Sequence, residues 1–141
     1  MSDMKKGALG KLRLCDSIRR GCKIHWLKAD GVLRGAFSSC VQGAALVGIG
    51  HHTNNVGNLL WDVFKTNWPF IVKEVNCPAC SMKCKDILYA MRHLNNYKKN
   101  GGGHNWSRLR IANWIERAFE SEIPQGATLV TNVKEEELIH V

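Results

Sequence analysis

The sequence predicts a mainly α-helical domain with a small β hairpin or sheet, an α+β chain of 141 residues. Three observations lead there. The length suits one domain with a core of its own and is short for two. The hydrophobic share, 45% with five Trp, supplies the apolar surface that disordered chains lack. Helical periodicity recurs along the chain, while alternating apolar runs are few and short. The expected organisation is a single domain over 1–141. Within it, 1–75 forms a helical part, 76–120 a Cys/His knuckle with two helices, and 121–141 an extended acidic tail.

Leu9, Leu12, Ile18 and Cys22, with Leu14 and Cys15 nearby, predict an amphipathic helix ending at Gly21 or soon after. "KIHWLKADGVLRGAF" places an Asp30-Gly31 turn signal between apolar runs, which predicts a short hairpin. Ser38 or Ser39 is the expected cap of a helix over "CVQGAALVG", where Gly43, Ala44 and Ala45 would admit a close neighbour. "HHTNNVGN" reads as a loop. "LLWDVFK" is a short helix that must stop by Asn67, because the residue before Pro69 disfavours helical geometry. Val72 to Val75 should be extended. A helix from Lys83 to about Leu94 would turn Ile87, Met91 and Leu94 to the core, with Leu88 flanking. In the last helix Ser107 is the expected N-cap, and Ile111, Trp114, Ile115, Ala118 and Phe119 form one buried stripe. "ATLVTNV" would be a lone strand before the charged tail.

Charge is distributed unevenly. Residues 1–35 hold nine Lys/Arg against three Asp/Glu, residues 83–117 eight against two, and the stretch from 118 one against five. Two basic segments that converge would attract phosphate through counterion release. The candidate contacts are Lys98 and Lys99 on a loop and Arg108, Arg110, Asn113 and Arg117 on the last helix, side chains suited to phosphate and base edges. The same basic face would equally meet an acidic protein partner or further copies of the chain, with Trp residues as anchors. No secretory pattern opens the chain, and the longest apolar run, "CVQGAALVGIG", is short and broken by glycine, so neither export nor a membrane is expected.

Six cysteines without a secretory pattern point to reduced thiols, and clustered ones to metal. Cys15, Cys22 and Cys40 sit among apolar residues and read as small buried hydrophobes. In "NCPACSMKCKDILYAMRHLNNYKKNGGGHNW", Cys77 and Cys80 form a C-P-x-C knuckle whose amides can face thiolate sulfurs. Twelve residues separate Cys80 from His93, the spacing of two-Cys two-His fingers, but ten separate His93 from His104, longer than the usual three to five. A glycine-rich loop closes such a gap at small extra entropy. A structural zinc on Cys77, Cys80, His93 and His104 is the expectation, with Cys84 an alternative ligand. C-x-x-C, His, Gly-Gly and Asn resemble His-Asn-His nucleases in outline. No Asp-His or His-His pair follows the cysteines, however, and His51-His52 precedes them on a loop, so no base and metal set can be assigned. The chain is expected not to be an enzyme.

"HLNN" followed by "HNWSRLRIANWIE" resembles small proteins of tailed phages and prophages that carry His-Leu-Asn-Asp, His-x-Trp-[Ser/Thr]-Arg and Ile-Ala-x-Trp. Many of these have an upstream C-P-x-C and a segment that "SSCVQGAALVG" echoes. The resemblance touches residues 38–48 and 77–116. It implies a phage accessory or regulatory protein in the host cytoplasm, or a virion-associated component, and little about mechanism. Asn96 replaces the usual Asp, and Tyr97 to Gly103 reads as an insertion that separates the two histidines.

Overall fold

A computed structural model describes residues 12–28, 38–51, 58–97 and 102–123. In chain order these form α1 (Leu14–Ile24), β1 (Leu27–Lys28), β2 (Ser38–Ser39), α2 (Val41–Gly48), α3 (Asn58–Asn67), a 3-10 turn (Pro69–Val72), β3 (Val75–Asn76), β4 (Lys83–Cys84), α4 (Ile87–Asn95), α5 (Arg108–Ile115) and a π turn (Glu116–Glu120). The architecture is mainly α with small two-stranded sheets, as the periodicity predicts. None of the described helices is long and apolar enough to cross a membrane.

Among the described residues, helices α1 and α2 pack together most extensively. A Cβ on Gly21 would stand 1.8 Å from the Ala44 carbonyl oxygen, and one on Gly48 would stand 1.9 Å from that of Ser17. Only glycine lets the two backbones approach this closely. α1 ends at Ile24, soon after Gly21 as expected, and the glycine itself marks the crossing. Ser17 Oγ donates to the Ala45 carbonyl across the same contact. Cys40, rather than Ser38 or Ser39, caps α2, its sulfur accepting from the Gly43 amide at 3.5 Å.

One buried cluster joins Leu14 and Ile18 of α1, Leu46 of α2, Phe64 of α3, Ile71, the α4 residues Ile87, Met91 and Leu94, and Ile111 and Ile115 of α5. α3 ends at Asn67 as the proline requires, and Trp68 then ties the loop to the N-terminal side by donating Nε1–H to the Leu12 carbonyl at 2.9 Å. Pro69 opens a 3-10 turn reaching Val72, because its fixed φ suits the first helical position, so extended backbone begins only after Val72.

The turn at Asp30-Gly31 and the second strand of the expected hairpin fall in residues 29–37, outside the described residues; β1 pairs in parallel with β2, Leu27 opposite Ser38. The antiparallel hairpin is β3–β4, with Val75 opposite Cys84, and it brackets the cysteine knuckle. That pairing consumes Lys83 and Cys84, so α4 starts later than the periodicity predicts, at Ile87, with Asp86 Oδ1 accepting from the Tyr89 amide at 2.7 Å. The "ATLVTNV" strand and the acidic tail lie outside the described residues.

α5 begins as expected, Ser107 Oγ accepting from the Arg110 amide at 3.1 Å. Its buried stripe then changes register. Ile111, Trp114 and Ile115 face inward, but Ala118 is exposed and Glu120 is buried to 1% exposure. The widened i→i+5 turn over Glu116–Glu120 holds an extra residue, so the inward face slips along the chain. The slip places the Glu120 carboxylate on the open N-terminus of α1, where it accepts from the Leu14 amide at 2.6 Å and the Cys15 amide at 2.9 Å. α1 thus receives its cap from the far end of the fold.

Candidate metal centre

The site is built on three backbone devices. The first is the knuckle: the Cys77 amide donates to the Met82 carbonyl at 2.7 Å and the Ser81 amide to the Cys77 carbonyl at 2.8 Å, closing the turn of the β3–β4 hairpin. Ser81 takes φ of 67° to complete it. Inside that turn the Ala79 amide points at Cys77 Sγ, 3.3 Å away. Burial pushes the Cys77 thiol pKa up, and the Ala79 and Cys80 amides oppose that rise.

The second device is α4, which carries His93 in its last turn. The third is the segment that returns after the glycines. The His104 amide donates to the His93 carbonyl at 3.3 Å, Trp106 to Leu94 at 2.8 Å and Asn105 to Asn96 at 2.7 Å. These are carbonyls that a helix end leaves without partners, so the returning chain is held by the same backbone groups that end α4. A Cβ on Gly103 would meet the Asn96 carbonyl oxygen at 2.3 Å, which leaves the contact to glycine.

His104 therefore lies opposite His93, whatever the length of chain between them. Their Nε2 atoms are 3.1 Å apart, with the rings edge to face. Cys80 Sγ stands 3.5 Å from His93 Nε2. The donor atoms of Cys77, Cys80, His93 and His104 all lie within 4.8 Å of one another. A tetrahedron with metal–nitrogen bonds of about 2.0 Å and metal–sulfur bonds of about 2.3 Å has edges of about 3.3 Å between nitrogens and about 3.5 Å between nitrogen and sulfur. The arrangement is compatible with a structural metal ion. Burial, and then the neighbouring His104, hold the His93 imidazole below its usual pKa, favouring the neutral ring that a metal needs. Tyr89 stacks on His93, with the ring planes 15° apart.

Cys84 stands outside this group. It is fully buried beneath the hairpin, its thiol directed to the Met82 carbonyl at 3.6 Å, and burial raises its pKa, with Cys77 and Cys80 adding to the rise. The inserted stretch does not part the histidines, because the hydrogen bonds of residues 104–106 to the end of α4 set His104 opposite His93.

The basic candidates separate. Arg110, Asn113 and Arg117 are exposed along α5 and the π turn, whereas Arg108 is only 6% exposed and does not share their face. Asn113 Oδ1 already accepts from Arg19 at 2.8 Å. Lys98 and Lys99 lie outside the described residues. Sequence reasoning missed the aromatic partners of this surface. The Arg110 guanidinium lies 3.9 Å from the centroid of the Trp106 ring, and Lys28 Nζ lies 5.1 Å from that of Tyr97. The His104-Asn105-Trp106 sequence held the signal for the first pair, since Trp106 and Arg110 are four residues apart.

Protein-family models, curated proteins and solved structures were each compared with the chain, and none matches it.

Proposed function

We propose that the chain is a small phage-encoded accessory protein in which a structural zinc ion, held by Cys77, Cys80, His93 and His104, fixes a cationic face for nucleic acid. The observation that carries the zinc is the convergence of two sulfur and two nitrogen donors within 4.8 Å. Such a mixed soft and borderline set in tetrahedral array selects zinc over the harder cations. With all four positions taken by protein, the ion has no open site for water, so its role is structural.

The nucleic-acid reading is supported by exposed Arg110 and Arg117 and by the pairing of Arg110 with Trp106, which presents a planar cation and a ring together. Exposed Val72 and Ile123 support an alternative as a virion-associated, self-assembling component.

Elemental analysis tests the metal. One zinc per chain is expected in the wild type, none in Cys80→Ser and one in Cys84→Ala; a metal-free wild type ends the proposal. Nucleic-acid titration over a range of salt tests the face. Arg110→Ala and Arg117→Ala should each flatten the log–log salt slope by about 0.7–0.9. Absence of binding at low salt, with a defined large oligomer by light scattering, would favour assembly instead.

A further inference from the structure

The end of α1 and the start of α5 enclose a shallow cleft of about 280 Å³, lined by Cys22, Trp26, Lys28, Ser107, Arg108 and Leu109. We infer that this cleft takes an unpaired base of single-stranded nucleic acid, stacked on Trp26. The inference rests on the nucleic-acid reading above and narrows it.

Trp26 is 61% exposed and Leu109 52%, so two apolar walls stand in water on opposite elements of one opening. The volume falls just below the ~300 Å³ at which pockets for whole small molecules begin, a size for one flat ring system. Lys28 closes the rim in a fixed position: Nζ donates to Asn105 Oδ1 and, at 3.1 Å, to the Trp106 carbonyl, while lying over Tyr97. Beyond it Arg110 lies on Trp106. Rings and cations therefore share one rim: Trp26 beside Lys28, Lys28 over Tyr97, and Arg110 on Trp106. That mixture matches a single strand, whose bases stack on rings while its phosphates pass cations.

Charge separates this cleft from its neighbours. Among the described residues its lining holds Lys28 and Arg108 and no acidic side chain, whereas the groove beside Ile49 contains Asp62 and the groove beside Trp61 contains Asp86. Duplex nucleic acid would meet the cations but could not offer a base face to Trp26, because its bases are already stacked. An acidic peptide would likewise use the cations and leave the indole in water.

The test uses zinc-loaded full-length protein and fluorescence anisotropy at low salt, with a labelled single-stranded oligonucleotide, a hairpin duplex of the same sequence and polyglutamate as probes. The single strand should bind at least tenfold more tightly than the duplex. Trp26→Ala should weaken the single strand about tenfold, the scale of one lost base stack, without changing the duplex affinity, and Trp26→Phe should restore most of the loss. Because Trp26 stands largely in water, these variants should keep their zinc, which elemental analysis checks. Equal affinity for both strands, an inert Trp26→Ala, or polyglutamate binding that depends on Trp26 overturns the inference and leaves the zinc untouched. A duplex bound as tightly as the single strand preserves the broader nucleic-acid reading; failure of every nucleic-acid probe removes both.

Discussion

Glu120 shows how one side chain can serve a helix more than a hundred positions away in sequence. Its carboxylate satisfies two amides at the start of α1, and beside it Arg13 reaches the Glu120 and Ile123 carbonyls and pairs with Asp16 and Glu116. Glu120→Ala leaves two buried amides without acceptors, so a loss of about 2–3 kcal/mol is expected in urea unfolding. The two glutamates titrate in opposite senses. Burial raises the Glu120 pKa above its ordinary value of about 4.5 despite the hydrogen bonds it accepts, so the native state holds that proton more tightly than the unfolded state. Stability from this group should therefore fall as pH rises from 4.5 through the native value, and Glu120→Gln should lose that slope. Glu116 is lowered, first by its hydrogen bond from Arg19, so its contribution is present above 4.5 and lost as pH falls below it. Unfolding midpoints measured on either side of pH 4.5 separate the two. Nothing in the sequence marked Glu120, which sits at a position that α periodicity assigns to the surface.

At the scale of elements, the close crossing of α1 and α2 was legible in part. Gly43, Ala44 and Ala45 announced that a neighbour could come near, but the glycines that decide the distance are Gly21 and Gly48. Gly21 signals the nearby helix end and also the crossing, and local sequence does not distinguish the two uses of glycine. Gly21→Ala drives a methyl group into the Ala44 backbone and should cost at least about 2–3 kcal/mol, seen as a lower urea midpoint with unchanged slope. The last helix was legible up to Ile115, where the spacing and the Ser107 cap agree with the structure. Beyond it Phe119 still packs on the core, beside Trp114 and Phe70, but Ala118 turns outward and Glu120 inward, because a π turn is fixed by what the far end must reach, here the N-terminus of α1. The β3–β4 hairpin has a similar origin: it is held by the knuckle hydrogen bonds of Cys77, Ser81 and Met82 rather than by a turn signal of the Asp30-Gly31 kind.

For the whole molecule, the four candidate metal donors could be named from the sequence because donor chemistry and the C-P-x-C spacing are local properties. The length of chain before His104 argued against them only under the assumption that loop length sets position. Position is set instead by three amides of residues 104–106 on the carbonyls ending α4, and loop length then costs little. The aromatic and cationic rim escaped the sequence for the opposite reason. Lys28 and Trp26 follow α1, Trp106 and Arg110 belong to the start of α5, and no periodicity relates them until the helices pack. The contact between Arg13 and the Ile123 carbonyl also brings the two ends of the described fold together, so fraying at either end removes a partner from the other.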